Sequence, residues 1–151
     1  MPEYRATPTT DPTAAELLDE YFALREHGMS SYRTFRPDPA LFTGDAGVFL
    51  VAWDGGNPVG CGGIRMLDPA TAEVKHLYVR PEARGTGLGR ALLGELERRA
   101  AVLGATAVVL DTNERLEAAQ RLYRSSGYSE VEPYNENPNA THWFRKELPA
   151  Q

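Results

Sequence analysis

Residues 74–93, "VKHLYVRPEARGTGLGRALL", change character in the middle. An apolar-rich stretch gives way to three alternate glycines, Gly85, Gly87 and Gly89, led by Arg84, and then to helical spacing. Glycine costs backbone entropy, about 0.5–1 kcal/mol relative to alanine in a helix interior, so three of them at a helix mouth need a reason. A strand that feeds a glycine loop and then a helix makes an anion site. The first N–H groups of the helix lack intrahelical acceptors, and the aligned peptide dipoles leave about half a positive charge there. Bare backbone lets anionic oxygens reach those N–H groups and permits the positive φ angles the loop needs. Arg84 adds a charge at the entrance. A tight turn alone would need one glycine, not three.

The charge distribution agrees with that reading. The chain carries a net charge of −5, which argues against a general nucleic-acid binder. Residues 1–72 hold five basic and ten acidic side chains, whereas residues 73–99, around the glycines, hold six basic and four acidic ones. A spread of that size also occurs on solvated helices. The Walker pattern is absent, and the dinucleotide pattern G-x-G-x-x-G fails because Arg90 stands where its last glycine belongs.

At 151 residues the chain is read as one domain over 1–151, long enough to bury roughly 70% of its unfolded surface. Cys61 is the single cysteine, which excludes an internal disulfide and a multi-cysteine metal site and fits a reducing cytoplasm. The start "MPEYRATPTTDPT" carries no secretory pattern, and "GVFLVAW" is too short to span a bilayer, so neither a membrane partner nor a nucleic-acid partner is expected. "EYRAT" reads as a first strand, and Asp11-Pro12 starts a helix with Ala14, Leu17, Leu18, Tyr21 and Phe22 on one face. A short helix is placed near Asp38–Phe42. "GVFLVAW" and "PVGCGGIRML" form a hairpin across Asp54-Gly55-Gly56-Asn57, followed by a third antiparallel strand, 72–79. The helix after the glycines runs 87–103 with Leu88, Leu92, Leu96, Ala100 and Leu103 inward, and "ATAVVL" reads as a strand covered on both faces. A helix over 117–126 ends at Gly127, and "YSEVE" and "THWFRKEL" close the sheet. The expected fold is mixed α/β (α+β): a central, mostly antiparallel sheet flanked by helices.

Two motifs now carry a resemblance that covers nearly the whole chain. "EVKHLYVRPEARGTGLGRALL" resembles the pyrophosphate motif [RQ]-x-x-G-x-[GA] of the GNAT superfamily of acetyl-CoA-dependent N-acetyltransferases, and "AAQRLYRSSGY" is similar to that family's A-x-x-L-Y-x-x-x-G-[FY] helix. The resemblance implies acetyl-CoA as co-substrate, no metal, and direct attack by an amine. It implies that the backbone of Gly85, Thr86, Gly87, Leu88, Gly89 and Arg90 holds the pyrophosphate. It further implies that the pantetheine arm pairs along Leu77, Tyr78 and Val79, where one N–H polarises the thioester carbonyl. Tyr123 matches the tyrosine that protonates the departing thiolate, a role open to a phenol of ordinary pKa about 10. It also stands where a capping contact with Tyr128 would place it, and the two roles are compatible. Glu73 matches a glutamate that deprotonates the amine; strand alternation sets it with Lys75, Leu77 and Val79 on one face, opposite Val74, His76 and Tyr78. A solvated glutamate, or one paired with Lys75 or Arg65, is the other reading.

The motif departs from the family where an asparagine usually stands three residues before the alanine. Arg115 occupies that place, and Asn113, two residues earlier, is the candidate pantetheine contact. His27 reads as a surface or cap residue and His76 as sheet packing rather than a base. His142, with Tyr134, Asn135 and Asn137, belongs to a polar, aromatic segment that either borders the acceptor or is plain surface. Cys61 reads as a small buried filler.

The expected protein is a cytoplasmic acetyltransferase acting on a small-molecule amine or peptide. Its acidic remainder mildly favours a cationic acceptor. A homodimer is common in such a family, although no sequence feature shows one. The competing reading is an acyl-CoA sensor without turnover; a nucleotide-binding protein is a third.

Overall fold

The computed structural model describes residues 2–149; residues 1, 150 and 151, the ends of the domain expected over 1–151, lie outside them. The strands are β1 (Glu3–Ala6), β2 (Gly47–Asp54), β3 (Asn57–Asp68), β4 (Thr71–Val79), β5 (Ala107–Thr112), β6 (Ser129–Val131) and β7 (His142–Glu147). The helices are α1 (Pro12–Gly28), α2 (Leu88–Val102) and α3 (Glu117–Ser125), with a 3-10 turn over Pro39–Phe42. They form one seven-stranded sheet in the order β1-β2-β3-β4-β5-β7-β6. The element order is the one expected from the sequence, and so is the hairpin: β2 and β3 turn over Gly55 and Gly56, both at positive φ.

Local chemistry fixes the helix ends. Asp11 caps α1 by accepting from the Thr13 and Ala14 amides. Gly127, at φ +94°, ends α3, and the Tyr128 amide donates to the Tyr123 carbonyl, a Schellman closure. The Tyr123 and Tyr128 rings then meet edge to face at 6.1 Å. On one face of the sheet Leu92, Leu93, Leu96 and Ala100 of α2 pack on Ile64, Ala72, Val74 and Val108. On the other, Ala14, Leu17, Leu18 and Phe22 of α1 pack on Phe49, Val51, Cys61 and Tyr78. Cys61 is wholly buried, as expected of a filler, and burial pushes its thiol pKa up.

Two irregularities position everything that follows. β4 and β5 are parallel neighbours for only three registered pairs, Thr71 with Ala107, Ala72 with Val108 and Glu73 with Val109. Beyond Glu73 no described strand pairs with that edge of β4. The second irregularity is a bulge: β3 and β4 slip register between Cys61 and Gly63, and His76 opposite takes φ +59°. A bulge inserts one residue and resets the alternation of faces. The expected sharing of one face by Glu73, Lys75, Leu77 and Val79 is therefore corrected. Ala72, Val74, Leu77 and Val79 lie toward α2, whereas Glu73, Lys75, His76 and Tyr78 lie toward α1.

Candidate active site

The glycine loop forms as a bare anion cradle. Gly85 and Gly87 adopt φ +79° and +83°, which side chains rarely tolerate, and a Cβ on either would point into open space. Gly87 is the N-cap of α2 and supplies no side-chain cap. The backbone N–H groups of residues 85–90 find no hydrogen-bond acceptor among the described residues; Ala91 is the first whose amide is taken, by the Gly87 carbonyl. Six successive unpaired donors at the mouth of a fifteen-residue helix are a site for a strong anion. Gly89 differs from the other two glycines: it is helical, and its Cα faces Leu122 of α3.

A groove of about 450 Å³ runs from this loop along the unpaired edge of β4, lined by Leu77, Tyr78, Val79, Arg84, Gly85, Gly87, Leu88 and Gly89 with Arg115 and Tyr123 across from them. Thr86 and Arg90 do not line it. The Thr86 hydroxyl donates to the Ala83 carbonyl, and the Arg90 guanidinium is spent on Ser125 and Ser126 at the end of α3. They can serve a ligand through their backbone N–H groups alone. Asn113 does not line the groove. Its amide donates to the Asn139 carbonyl and accepts from the Arg115 N–H, which places it on the neighbouring cleft. Arg115 is the groove residue that the sequence left without a role.

That cleft, of about 460 Å³, lies between α1, the segment 32–42, the β4 bulge and the loop 135–139. Its apolar wall includes Tyr21, Phe22, Tyr32 and Phe42; its polar wall includes Asp111, Asn113, Asn135, Asn137 and Asn139. Four residues line both cleft and groove: Arg25, Leu77, Leu116 and Tyr123. The two cavities meet there, beside Leu77 and not beside the glycines. Burial raises the Tyr123 pKa above that of a free phenol, and its hydroxyl has no hydrogen-bond partner among the described residues.

Glu73 lies behind the cleft wall. Its side chain is fully enclosed and does not line the cleft. Arg65 Nε donates to one carboxylate oxygen at 2.8 Å; the Tyr134 hydroxyl, at 2.6 Å, and Asn135 Nδ2, at 3.3 Å, donate to the other, with Lys75 Nζ 3.7 Å away. A carboxylate with both oxygens engaged and no opening to the cleft is a hub. It orients Arg65, Lys75 and Asn135, which do line the cleft. Asn135 also donates to Asp111 at 2.7 Å and accepts from the Trp143 indole at 2.8 Å, so the loop is fastened at several points. Asn135 and Asn137 line the cleft.

His76 lines the cleft among the rings of Tyr21, Phe22 and Phe42. Its pKa falls to about 3, first through burial and then through the charges of Lys75, Arg25, Arg36 and Arg65, so the imidazole is neutral at neutral pH. Its Nδ1 is buried without a partner. His27 is exposed at the end of α1, and His142 is off the cleft, beside Thr141 and Glu130. The residue that sequence reading missed is Arg25. Its only signal was the four-residue spacing from Tyr21, on whose ring the guanidinium stacks at 4.4 Å. Among the described residues no helix is long and apolar enough to cross a membrane.

The fold described above is that of solved acetyltransferases of the GNAT family. The model of the acetyltransferase (GNAT) family matches residues 12–128, and the chain belongs to that family. It is 44% identical over 94 residues to the uncharacterized N-acetyltransferase C1271.07c of Schizosaccharomyces pombe, a match covering 61% of this chain and 58% of that protein. Among solved structures it is similar to a GNAT-family acetyltransferase of Staphylococcus aureus Mu50 (TM-score 0.81, 18% identity, covering 99% and 100% of the two chains). It is also similar to one from Elizabethkingia anophelis with acetyl-CoA bound (TM-score 0.69, 18% identity, covering 97% and 98%).

Proposed function

We propose that this chain transfers an acetyl group from acetyl-CoA to a primary amine bound in the cleft. The observation that carries the proposal is the run of six unpaired N–H donors at residues 85–90, placed at one end of a groove whose other end opens onto a separate cleft at Tyr123. A long ligand with a pyrophosphate near its middle and a reactive group at its tip fits that arrangement. Acetyl-CoA, when bound, supplies the activated acyl thioester.

The chain's own residues then have distinct tasks. The amides of residues 85–90 hold the pyrophosphate, with Arg84 and Arg115 beside the groove as further counter-charges. The unpaired edge of β4 from Leu77 to Val79 offers backbone donors and acceptors to the pantetheine arm, and one N–H there polarises the thioester carbonyl. The cleft orients the amine toward that carbonyl. Four cations on its lining, Arg25, Arg36, Arg65 and Lys75, disfavour an ammonium, as they disfavour protonated His76, so the amine is held in its nucleophilic form and its proton leaves to water. The amine nitrogen bonds to the carbonyl carbon and gives up one N–H proton to water, and the carbon–sulfur bond breaks. Tyr123 gives its proton to the departing thiolate and is reprotonated from water. Burial raises its pKa, so the phenol is protonated at neutral pH. Glu73 acts by holding Arg65, Lys75 and Asn135 in place.

The test is release of CoA thiol from acetyl-CoA against a panel of amino acids, polyamines, aminoglycosides, arylamines and short peptides. Release with one class, accompanied by the acetylated amine in the mass spectrum, supports the proposal. Binding of acetyl-CoA without turnover of any amine favours the sensor.

A further inference from the structure

We infer that the acceptor is an amino carboxylate, with the amine and the carboxylate close together as in an α-amino acid, and that Arg25 is the counter-ion of that carboxylate. The inference rests on the transferase reading and names the substrate class of the same cleft.

The lining charges are the first observation. Arg25, Arg36, Arg65 and Lys75 face the cleft against two carboxylates, Asp38 and Asp111. Asp111 is the more enclosed of the two, and Asp38 is exposed at the cleft mouth. Asp111 accepts from Asn135 and Asn137 and has Lys75 at 3.8 Å, and Asp38 caps the 3-10 turn through the Ala40 amide. A polyamine or other plain cation would therefore enter a cavity where four cations outnumber two carboxylates, the inner of which is already engaged, contrary to the preference that the acidic remainder of the sequence suggested.

The second observation separates Arg25 from the other cations. Arg65 is paired with Glu73, Lys75 stands between Glu73 and Asp111, and Arg36 is paired with Asp19 at 2.6 Å. Arg25 has no ion-pair partner among the described residues, and none of its guanidinium N–H groups meets an acceptor there. Its guanidinium carbon sits over the Tyr21 ring, 4.4 Å from the centroid, which holds the group at the cleft wall with its N–H donors unclaimed and available to a carboxylate, the anion a guanidinium can bind in bidentate fashion.

The third observation is position. Arg25 is one of the four residues common to cleft and groove, together with Leu77, Leu116 and Tyr123. An anion held there lies next to the point of transfer, so it must be attached within a few bonds of the attacking amine. The rest of the acceptor then extends between the aromatic wall of Tyr21, Phe22 and Tyr32 and the asparagine wall.

The experiment measures kcat/KM for thiol release with each of the twenty L-amino acids and with the matching amino acid amides, which keep the amine and side chain but lack the carboxylate. Wild type, Arg25→Gln and Arg25→Lys are compared, and acetyl-CoA affinity is measured for each by titration calorimetry. The expected result is a preference for acid over amide of about 30-fold or more for the amino acids that are turned over. In Arg25→Gln the preference collapses toward one, and in Arg25→Lys it partly returns, with acetyl-CoA affinity near that of wild type in both. Equal turnover of acids and amides by wild type overturns the inference and leaves the transferase reading standing. So does an Arg25→Gln variant that loses acid and amide in equal proportion together with acetyl-CoA affinity, because Arg25 would then serve a phosphate. Turnover confined to amines outside the amino acid set also overturns it. Failure of wild type to bind acetyl-CoA overturns the transferase reading and the inference with it.

Discussion

Replacing Glu73 by glutamine separates a hub from a base. The amide fills nearly the volume of the carboxylate, so no cavity term enters, and the cost is electrostatic. Arg65 Nε at 2.8 Å and the Tyr134 hydroxyl at 2.6 Å lose an ionised acceptor, and hydrogen bonds to charged groups contribute about 1.5–3 kcal/mol each. Breaking a fully buried ion pair costs about 3–5 kcal/mol. Arg65 is 32% exposed and Lys75 25%, so water recovers part of their solvation and the loss settles near the lower end, about 3 kcal/mol. For a chain of this length about 2–4 °C of Tm follows each kcal/mol, and Glu73→Gln should melt about 6–12 °C below wild type. Urea and thermal unfolding read the loss. The second readout is the pH profile of kcat/KM for thiol release. A hub that positions Lys75 and Asn135 lowers the whole profile and leaves its acidic limb in place. A variant as stable as wild type, whose acidic limb has vanished along with its turnover, would refute the reasoning and return Glu73 to the role of base.

Tyr123→Phe should lower kcat about 10²–10⁴-fold with little change in Tm, because the hydroxyl has no partner to lose; a kcat within twofold of wild type would remove Tyr123 as the acid. His76→Asn tests the buried imidazole. The folded-state pKa of about 3 lies below the ordinary value of 6.5, so the unfolded chain binds the proton first. The stability due to neutral His76 is complete above about pH 6.5 and is lost as pH falls toward 3, by up to about 1.4 kcal/mol per pH unit. Asparagine accepts the positive φ of the bulge and does not titrate. The variant should therefore lose stability less steeply over that window; an identical slope in urea midpoints against pH would contradict this.

The parts of the fold written in local chemistry were legible. Asp11 before Pro12, the glycine pair between β2 and β3, the leucine stripe of α2 and Gly127 after α3 each act within a few residues of themselves, and each element stands where those signals put it. The loop at residues 85–90 was readable for the same reason, since its glycines are required by its own backbone. The site's remaining geometry depends on contacts between distant segments. The β4 bulge at His76 carries no glycine or proline to announce it, and by shifting one residue it moves Leu77 and Val79 to the α2 face. The burial of Glu73 depends on Tyr134 and Asn135, which lie sixty residues on. Asn113 misses the groove because Asn139 and Arg115 claim both ends of its amide. Arg25 had no motif; what marks it is that no carboxylate among the described residues lies within ion-pair distance, and that is visible only in three dimensions.

The most direct test of the central claim, that the unpaired amides of residues 85–90 hold acetyl-CoA, is calorimetric titration of acetyl-CoA into wild type and Gly87→Val. Wild type should bind one molecule per chain with a Kd in the range of about 1 μM to 1 mM. A β-branched residue at φ +83° costs about 1–2 kcal/mol in that backbone conformation and puts methyl groups in the space the phosphate needs, so the variant should bind about tenfold more weakly or worse while keeping its circular dichroism spectrum. No heat from wild type, or equal affinity in a folded Gly87→Val, would contradict the claim.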